Sequence, residues 1–488
     1  VKTECSDNRF SCKPLGRREV VARFDGGDIT SDAGAILLRE LEAKTGIIRR
    51  FAACFTDHRD GERIEHTVEE LVAQRVYALA LGYEDLNDHD SLRHDPMLAV
   101  LVGKTDPKGE TRREERDRGK ALAGKSTLNR LELTPAEATP ESRYKKIVLE
   151  EGKAADFFVE AFIRSYRKPP RQITLDLDAT DDPLHGKQEG RFFHGYYMNY
   201  CYLPLYVFCG DHLLSAKLRT SDIDASAGTV EELARIVAHI RRAWPDVKIT
   251  IRADSGFCRE HIMAWCEQNG VGYVLGLARN NRLVEALSAE LGRAKATFEE
   301  TGEPARLFRD FEYSTLETWS RKRRVVGKAE HLAKGPNPRF VVTSKPSAEI
   351  EARPLYEEVY CARGEMENRI KEQQLMLFAD RTSTHWMRSN QIRLWFSSVA
   401  YVLVSALRRT ALAGTELARA QCGTIRVRLL KIGAQVRVTV RKVWVALAES
   451  CPWVAVFRAA WRNLQRLAAV ARGAPAPGGS HPRPSGGQ

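Results

Sequence analysis

The ten cysteines of this 488-residue chain contain no C-x-x-C pair and no other zinc spacing. Cys258 and Cys266 stand too far apart for one knuckle, and Cys5 and Cys12 have no histidine nearby. A zinc finger or a disulfide framework is thereby excluded, and reduced thiols are expected. Long apolar runs are also missing. The longest, 394–407, is broken by serines and is too short to cross a bilayer. The opening residues Val1-Lys-Thr-Glu-Cys-Ser-Asp are polar, unlike a secretory leader. A soluble, cytoplasmic protein with no membrane partner is expected. Acid is scarce in one region only. From Arg408 onward, 14 Lys and Arg face only Glu416 and Glu449, while the rest of the chain carries 62 charges of each sign. The net charge of +12 therefore lies wholly in the last 81 residues. That concentration suits phosphate contact by counterion release, or else a solvated basic tail.

One motif lacks its context. Gly119-Lys-Ala-Leu-Ala-Gly124-Lys125-Ser126 satisfies the P-loop letters, but a working P-loop follows a buried strand. The preceding Arg112-Arg-Glu-Glu-Arg-Asp-Arg118 cannot be one, which argues against an ATP-using helper protein. A loop against DNA, or solvent exposure, fits these basic residues better.

Three acidic residues have recognisable settings. Asp178 closes the alternating run Arg171-Gln-Ile-Thr-Leu-Asp-Leu-Asp178, and Asp254 closes Val247-Lys-Ile-Thr-Ile-Arg-Ala-Asp254. Glu367 lies in a helix-like stretch, Tyr360-Cys-Ala-Arg363-Gly-Glu-Met-Glu367-Asn-Arg-Ile-Lys371. Two carboxylates at strand ends and a third on a helix can hold a pair of divalent metals for phosphodiester chemistry. Plainer readings stand beside this one. Arg363, Glu367 and Lys371 also form an i, i+4, i+8 ion-pair ladder. Asp176, Asp181 and Asp182 compete with Asp178, and Asp254 before Ser-Gly could be a turn residue.

The chain divides by pattern. Residues 1–168 read as mainly helical and DNA-end-binding, loose over the first 20, with Thr30-Ser-Asp32 as a cap and helices over 68–81 and 96–102. From 171 the period changes to two, and 169–284 reads as the first part of an α/β, ribonuclease-H-like catalytic core, with Thr229 and Glu232 as a capping box. A β-rich insertion is expected over 285–358, and the Glu367 helix and a long following helix over 359–410. Residues 411–472 form a basic region for DNA or subunit contact, with a hairpin whose arms are 425–429 and 436–440. By composition 473–488 is a disordered tail.

Several segments together resemble bacterial insertion-sequence transposases of the DDE type. They are Leu175-Asp-Leu-Asp178-Ala-Thr-Asp-Asp, His185-Gly-Lys-Gln-Glu-Gly190, Gly195-Tyr-Tyr197, Arg252-Ala-Asp254-Ser-Gly-Phe257 and Arg363-Gly-Glu-Met-Glu367. Gly82-Tyr-Glu-Asp-Leu-Asn-Asp-His-Asp and Leu92-Arg-His-Asp-Pro96 add to them. The nearest likeness is to the family numbered thirteen-eighty, within the superfamily marked by a Tyr–Arg–Glu–Lys pattern. The resemblance implies that Asp178, Asp254 and Glu367 are the catalytic, metal-binding triad for two Mg²⁺ or Mn²⁺ ions. Asp178 would bridge both ions, Asp254 would hold one, and Glu367 the other. Tyr360 and Arg363 fit the superfamily spacing and would handle DNA. The expected lysine seven residues after Glu367 is absent, because that position is Gln374, and Lys371 is the nearest substitute. Arg426, Arg428, Arg437 and Arg441 are further candidate DNA contacts. The implied activity is cleavage at element ends and strand transfer into target DNA, by a homodimer on paired terminal inverted repeats in the bacterial nucleoid. The alternative is a catalytically silent DNA-binding relative acting as a repressor.

Overall fold

Alternation of apolar and polar residues builds the centre of the molecule. The structure, a computed structural model, describes residues 9–467, and the tail expected over 473–488 lies outside them. Nine strands form one mixed sheet: β1 (Gln172–Ala179), β2 (Leu205–Cys209), β3 (His212–Lys217), β4 (Lys248–Ala253), β5 (Gly272–Leu277), β6 (Ala305–Tyr313), β7 (Arg323–Leu332), β8 (Gly335–Pro336) and β9 (Arg339–Thr343). Across the sheet the order is β3-β2-β1-β4-β5-β9-β7-β6, with β8 beside β7. Neighbours β1, β4 and β5 run parallel, and β2 and β9 pair antiparallel on either side of them.

Because side chains alternate along a strand, each strand serves two layers. Ile173, Leu175 and Leu177 of β1 and Ile249, Ile251 and Ala253 of β4 enter one apolar core. Helices Thr229–Ala243 and Glu260–Gln268 cover that face through Leu233, Ile236, Ile240, Ile262 and Met263. The intervening residues, Asp176, Asp178 and Arg252, point to the opposite face. There Val274, Val326 and Val341 pack under Leu355 and Tyr356, while Tyr206 and Phe208 join the core around helix Met387–Thr410.

The helix Val68–Leu81 shows how local signals set an element. Thr67 and Glu70 form a reciprocal capping box, and Gly82 ends the helix in the left-handed region at φ 95°. This helix packs in the same apolar cluster as Met387–Thr410, and the Phe51 ring lies 5.6 Å from that of Phe396. The helical first third is therefore fused to the sheet through a shared core.

Several expectations are corrected. Residues 9–23 are not loose: Arg9–Leu15 and Arg18–Arg23 form an exposed hairpin. Asp32 caps nothing, because its carboxylate accepts the Tyr83 hydroxyl at 2.8 Å and pairs with Lys431 at 2.6 Å. Thr229 and Glu232 form no capping box, since Glu232 turns to Arg235 instead. Segment 285–358 opens with the helix Ser288–Thr301, and its strands β6, β7 and β9 extend the central sheet. The arm at 425–429 is helical, and the hairpin pairs Ala434–Val438 with Val443–Leu447. Ile425, Leu429 and Leu430 are all buried at helical spacing, which outweighed the alternation of Val427 with two arginines. The segment before Lys125 is not a strand, as expected, but Lys125 is tied to Asn87 at 3.0 Å and Asp90 at 3.3 Å.

Candidate active site

Strand register brings two of the acids together. Arg252 lies opposite Asp176, and Ala253 opposite Leu177. One residue further on, Asp178 and Asp254 leave the carboxyl ends of adjacent parallel strands, where open α/β sheets characteristically present ligand sites. Asp254 caps the following turn, its carboxylate accepting the Gly256 amide at 2.9 Å. Among the described residues Asp178 accepts only the Ala179 amide, at 3.0 Å.

The competing acids have other partners. Asp176 is held by the Arg252 guanidinium through two hydrogen bonds of 2.5 and 2.8 Å. Asp181 accepts the Asn199 amide at 3.0 Å. Asp182 is fully buried and accepts the Gln374 amide at 2.8 Å.

Glu367 lies on an irregular helix. Leu355–Tyr360 makes a wide π turn, Cys361–Arg363 a tight 3₁₀ turn, Gly364–Lys371 a regular α-helix, and Glu372–Met376 a second π stretch. Such changes of pitch re-aim side chains and often mark functional positions. Three anchors hold this helix over the sheet. Arg252 donates to the carbonyl of Val359 as well as to Asp176. At the far end, buried Glu372 binds Arg408 at 2.9 Å and Arg369 at 2.6 Å. Gln374 spans back to the carbonyl of Asp181 at 3.0 Å and to Asp182. The position where a lysine was expected is thus a structural tie, and Lys371 is exposed.

Arg363 lies between the acids. Its guanidinium is 2.9 Å from the Glu367 carboxylate and 3.7 Å from that of Asp178. Burial pushes the Asp178 carboxyl up to about 7, Arg363 opposes that shift, and the neighbouring Asp254 and Glu367 carboxylates add to it. Burial likewise raises the Tyr360 hydroxyl. That hydroxyl sits against Gly276 of β5, where an added Cβ would lie 2.5 Å from Tyr360 Oη and 2.9 Å from the Ser255 amide nitrogen. Among the described residues no three Asp, Glu, His or Cys side chains stand close enough to share one ion.

The fold thus brings two carboxylates to adjacent strand ends, with an arginine fork beside one of them. A family model described as "Transposase DDE domain group 1" matches residues 12–469. The chain belongs to the transposase DDE domain group 1 family. A solved structure, "Cryo-EM structure of piggyBac transposase synaptic complex with hairpin DNA (SNHP)", is similar at 11% identity and a TM-score of 0.40, covering 92% of this chain and 87% of that one. No curated protein matches.

Of the other candidates, Arg437 and Arg441 are exposed at the hairpin near the carboxyl-terminal end, and Arg428 is exposed with its guanidinium over the Trp453 ring. Arg426 is committed elsewhere. It donates to the carbonyls of Leu79, Ala80 and Met376, closing the end of helix Val68–Leu81. Sequence reasoning missed Arg252 and Gly276. Arg252 and Asp176 each precede an acid of interest by two residues, and aligning the two strands on those acids would have paired them. No sequence signal singles out Gly276. Among the described residues no helix is long and apolar enough to cross a membrane.

Proposed function

We propose that this transposase-family chain is an insertion-sequence enzyme of the family numbered thirteen-eighty, with a ribonuclease-H-like core that cleaves element ends and joins them to target DNA by cut-and-paste. The observation that carries this reading is the meeting of Asp178 and Asp254 at neighbouring strand ends, with Arg363 linking Asp178 to Glu367.

The three acids fit Mg²⁺ or Mn²⁺ by donor type, since hard oxygen ligands suit these ions. They also form an excess of negative charge that Arg363 partly offsets. Asp178, Asp254 and Glu367 would hold the ions, which supply activation of a water or 3′-hydroxyl and stabilisation of the leaving oxygen. Arg363 presents a planar fork suited to a phosphate once released from Glu367. Tyr360, wedged against Gly276, sets the height of the helix over the acids. Lys371, Arg428, Arg437 and Arg441 offer cations to duplex phosphates, and a homodimer on paired ends would present two such surfaces.

The test is cleavage of a labelled element-end duplex in Mg²⁺ or Mn²⁺ by the natural chain, Asp178→Asn and Glu367→Gln. Nicking by the natural chain alone, with duplex binding kept in both variants, is the expected result. Tight binding without cleavage by any of the three would replace this reading with a silent repressor.

A further inference from the structure

Between β1 and β2 the chain builds a small second sheet, in which Asn199–Tyr202 pairs with Phe192–His194 on one side and with Asp182–Pro183 on the other. Its outer hairpin is unusually apolar for a solvent-facing loop. Phe192 is 42% exposed, Phe193 51%, Tyr196 84%, Met198 73% and Tyr200 41%. Exposed patches of this kind mark binding surfaces.

The rings are ordered rather than scattered. Phe193 meets Tyr200 edge to face at 5.4 Å, and the Arg191 guanidinium covers Tyr200 at 3.4 Å. Tyr196 meets Tyr197 edge to face at 5.0 Å, and His194 lies 4.9 Å from Tyr197. Met198 holds the tip at φ 55°, a left-handed conformation uncommon outside glycine, and its amide donates to His194 at 2.8 Å. The series of rings starts at the acid pair, because the Tyr197 hydroxyl donates to the carbonyl of Ala179, the residue after Asp178, at 3.3 Å. The Asn199 side-chain amide donates to the Asp181 carboxylate at 3.0 Å.

We propose that the 192–200 hairpin is a stacking platform for unpaired nucleotides of a DNA strand led toward Asp178 and Asp254. This rests on the reading of the site as DNA-processing. Two features favour an unpaired strand over an apolar protein surface. Residues 190–203 contain Arg191 and no acid, so the hairpin itself carries a cation for a phosphate backbone, while Glu189 precedes it and Asp178 and Asp181 lie at its base. Edge-to-face packing also leaves faces of the Phe193 and Tyr196 rings open, and unpaired bases, unlike those inside a duplex, can present their own faces to them. Stacking of this type carries little sequence preference, so the platform would serve any unpaired end.

The experiment measures equilibrium binding by full-length Glu367→Gln protein of two duplexes from the flanking DNA. One is blunt, and the other carries a short single-stranded tail with 2-aminopurine. In the parent protein the tail is expected to tighten binding and quench the fluorophore. Phe193→Ala and Tyr196→Ala should each weaken tailed binding by about 5- to 150-fold, the range for one lost stacking contact, and leave blunt binding unchanged. Tyr196→Trp should restore both affinity and quenching. Equal losses on both duplexes, no loss on either, or a shift from dimer to monomer with DNA affinity unchanged would each overturn the proposal. The assay needs no cleavage, so the two readings fail separately. Tail preference lost in the alanine variants of a chain that never cuts keeps the platform and removes the enzyme. Cleavage by the natural chain, with tailed binding insensitive to Tyr196→Ala, does the reverse.

Discussion

Replacing Gly276 by alanine tests whether the site depends on a close approach between strand β5 and the Tyr360 turn. The new Cβ would stand 2.5 Å from Tyr360 Oη, 2.9 Å from the Ser255 nitrogen and 3.2 Å from the Asp254 carbonyl carbon, where ordinary contact begins at 3.4 Å. The hydroxyl must therefore withdraw by about 0.9 Å and the Asp254–Ser255 backbone by about 0.5 Å, from 3.4 less 2.5 and 3.4 less 2.9. Overpacking of this size costs about 1–3 kcal/mol. Exchanging glycine for alanine within a strand returns about 0.5–1 kcal/mol of backbone entropy, so the net loss of stability is about 1 kcal/mol. The catalytic effect is larger, because a displacement of about 1 Å in a positioned group costs on the order of 100-fold in rate. Urea unfolding and end cleavage measured on one preparation separate the two effects. Gly272→Ala is the control: it lies in the same strand, but its Cβ comes closer than 3.4 Å only to the rotatable Thr250 hydroxyl, at 3.1 Å. Tyr360→Phe removes the nearest of the three atoms at Gly276, so the alanine substitution should be milder on that background. Natural stability and natural cleavage by Gly276→Ala would refute the reasoning, as would equal losses from both glycine variants.

Three further outcomes are expected. Arg252→Met strands the buried Asp176 carboxylate and should cost about 3–5 kcal/mol in chemical denaturation, much of it recovered in Arg252→Met with Asp176→Leu. Burial, with Asp380 and Asp181 close by, pushes Asp182 up to about 8 against the opposing Gln374 hydrogen bond. Its pKa is higher folded than unfolded, so its stabilising contribution is complete below about pH 4 and is lost as pH rises through about 8. Asp182→Asn should match the natural chain in unfolding midpoint most closely near pH 4 and exceed it near pH 9, and a gap that stays constant with pH would contradict the assignment. Arg426→Ala should lower stability and leave the salt dependence of DNA binding unchanged. Arg437→Ala with Arg441→Ala should instead reduce the slope of log K against log salt by up to about 2, with little change in stability.

Much of the candidate site was legible because its parts lie in elements with a regular period. The alternation in 171–178 and 247–254 marks two strands and leaves an acid at the end of each. The helical spacing of Tyr360, Arg363 and Glu367 places all three on one face. Those patterns depend only on the period of the backbone, so the linear chain carries them. Tertiary packing determined the rest. Asp176 and Asp178 belong to one strand face and differ in use only because Arg252, 76 residues later, reaches the first and not the second. Gln374, at a position expected to hold a phosphate-binding lysine, became a tie to a buried aspartate across 192 residues. Arg426, read as an outward residue of a strand, became a helix clamp because Leu429 and Leu430 needed burial more than Val427 needed pairing. In each case the side chain's role follows from which unsatisfied group lies within about 3 Å in the folded chain, and such proximity has no period along the sequence.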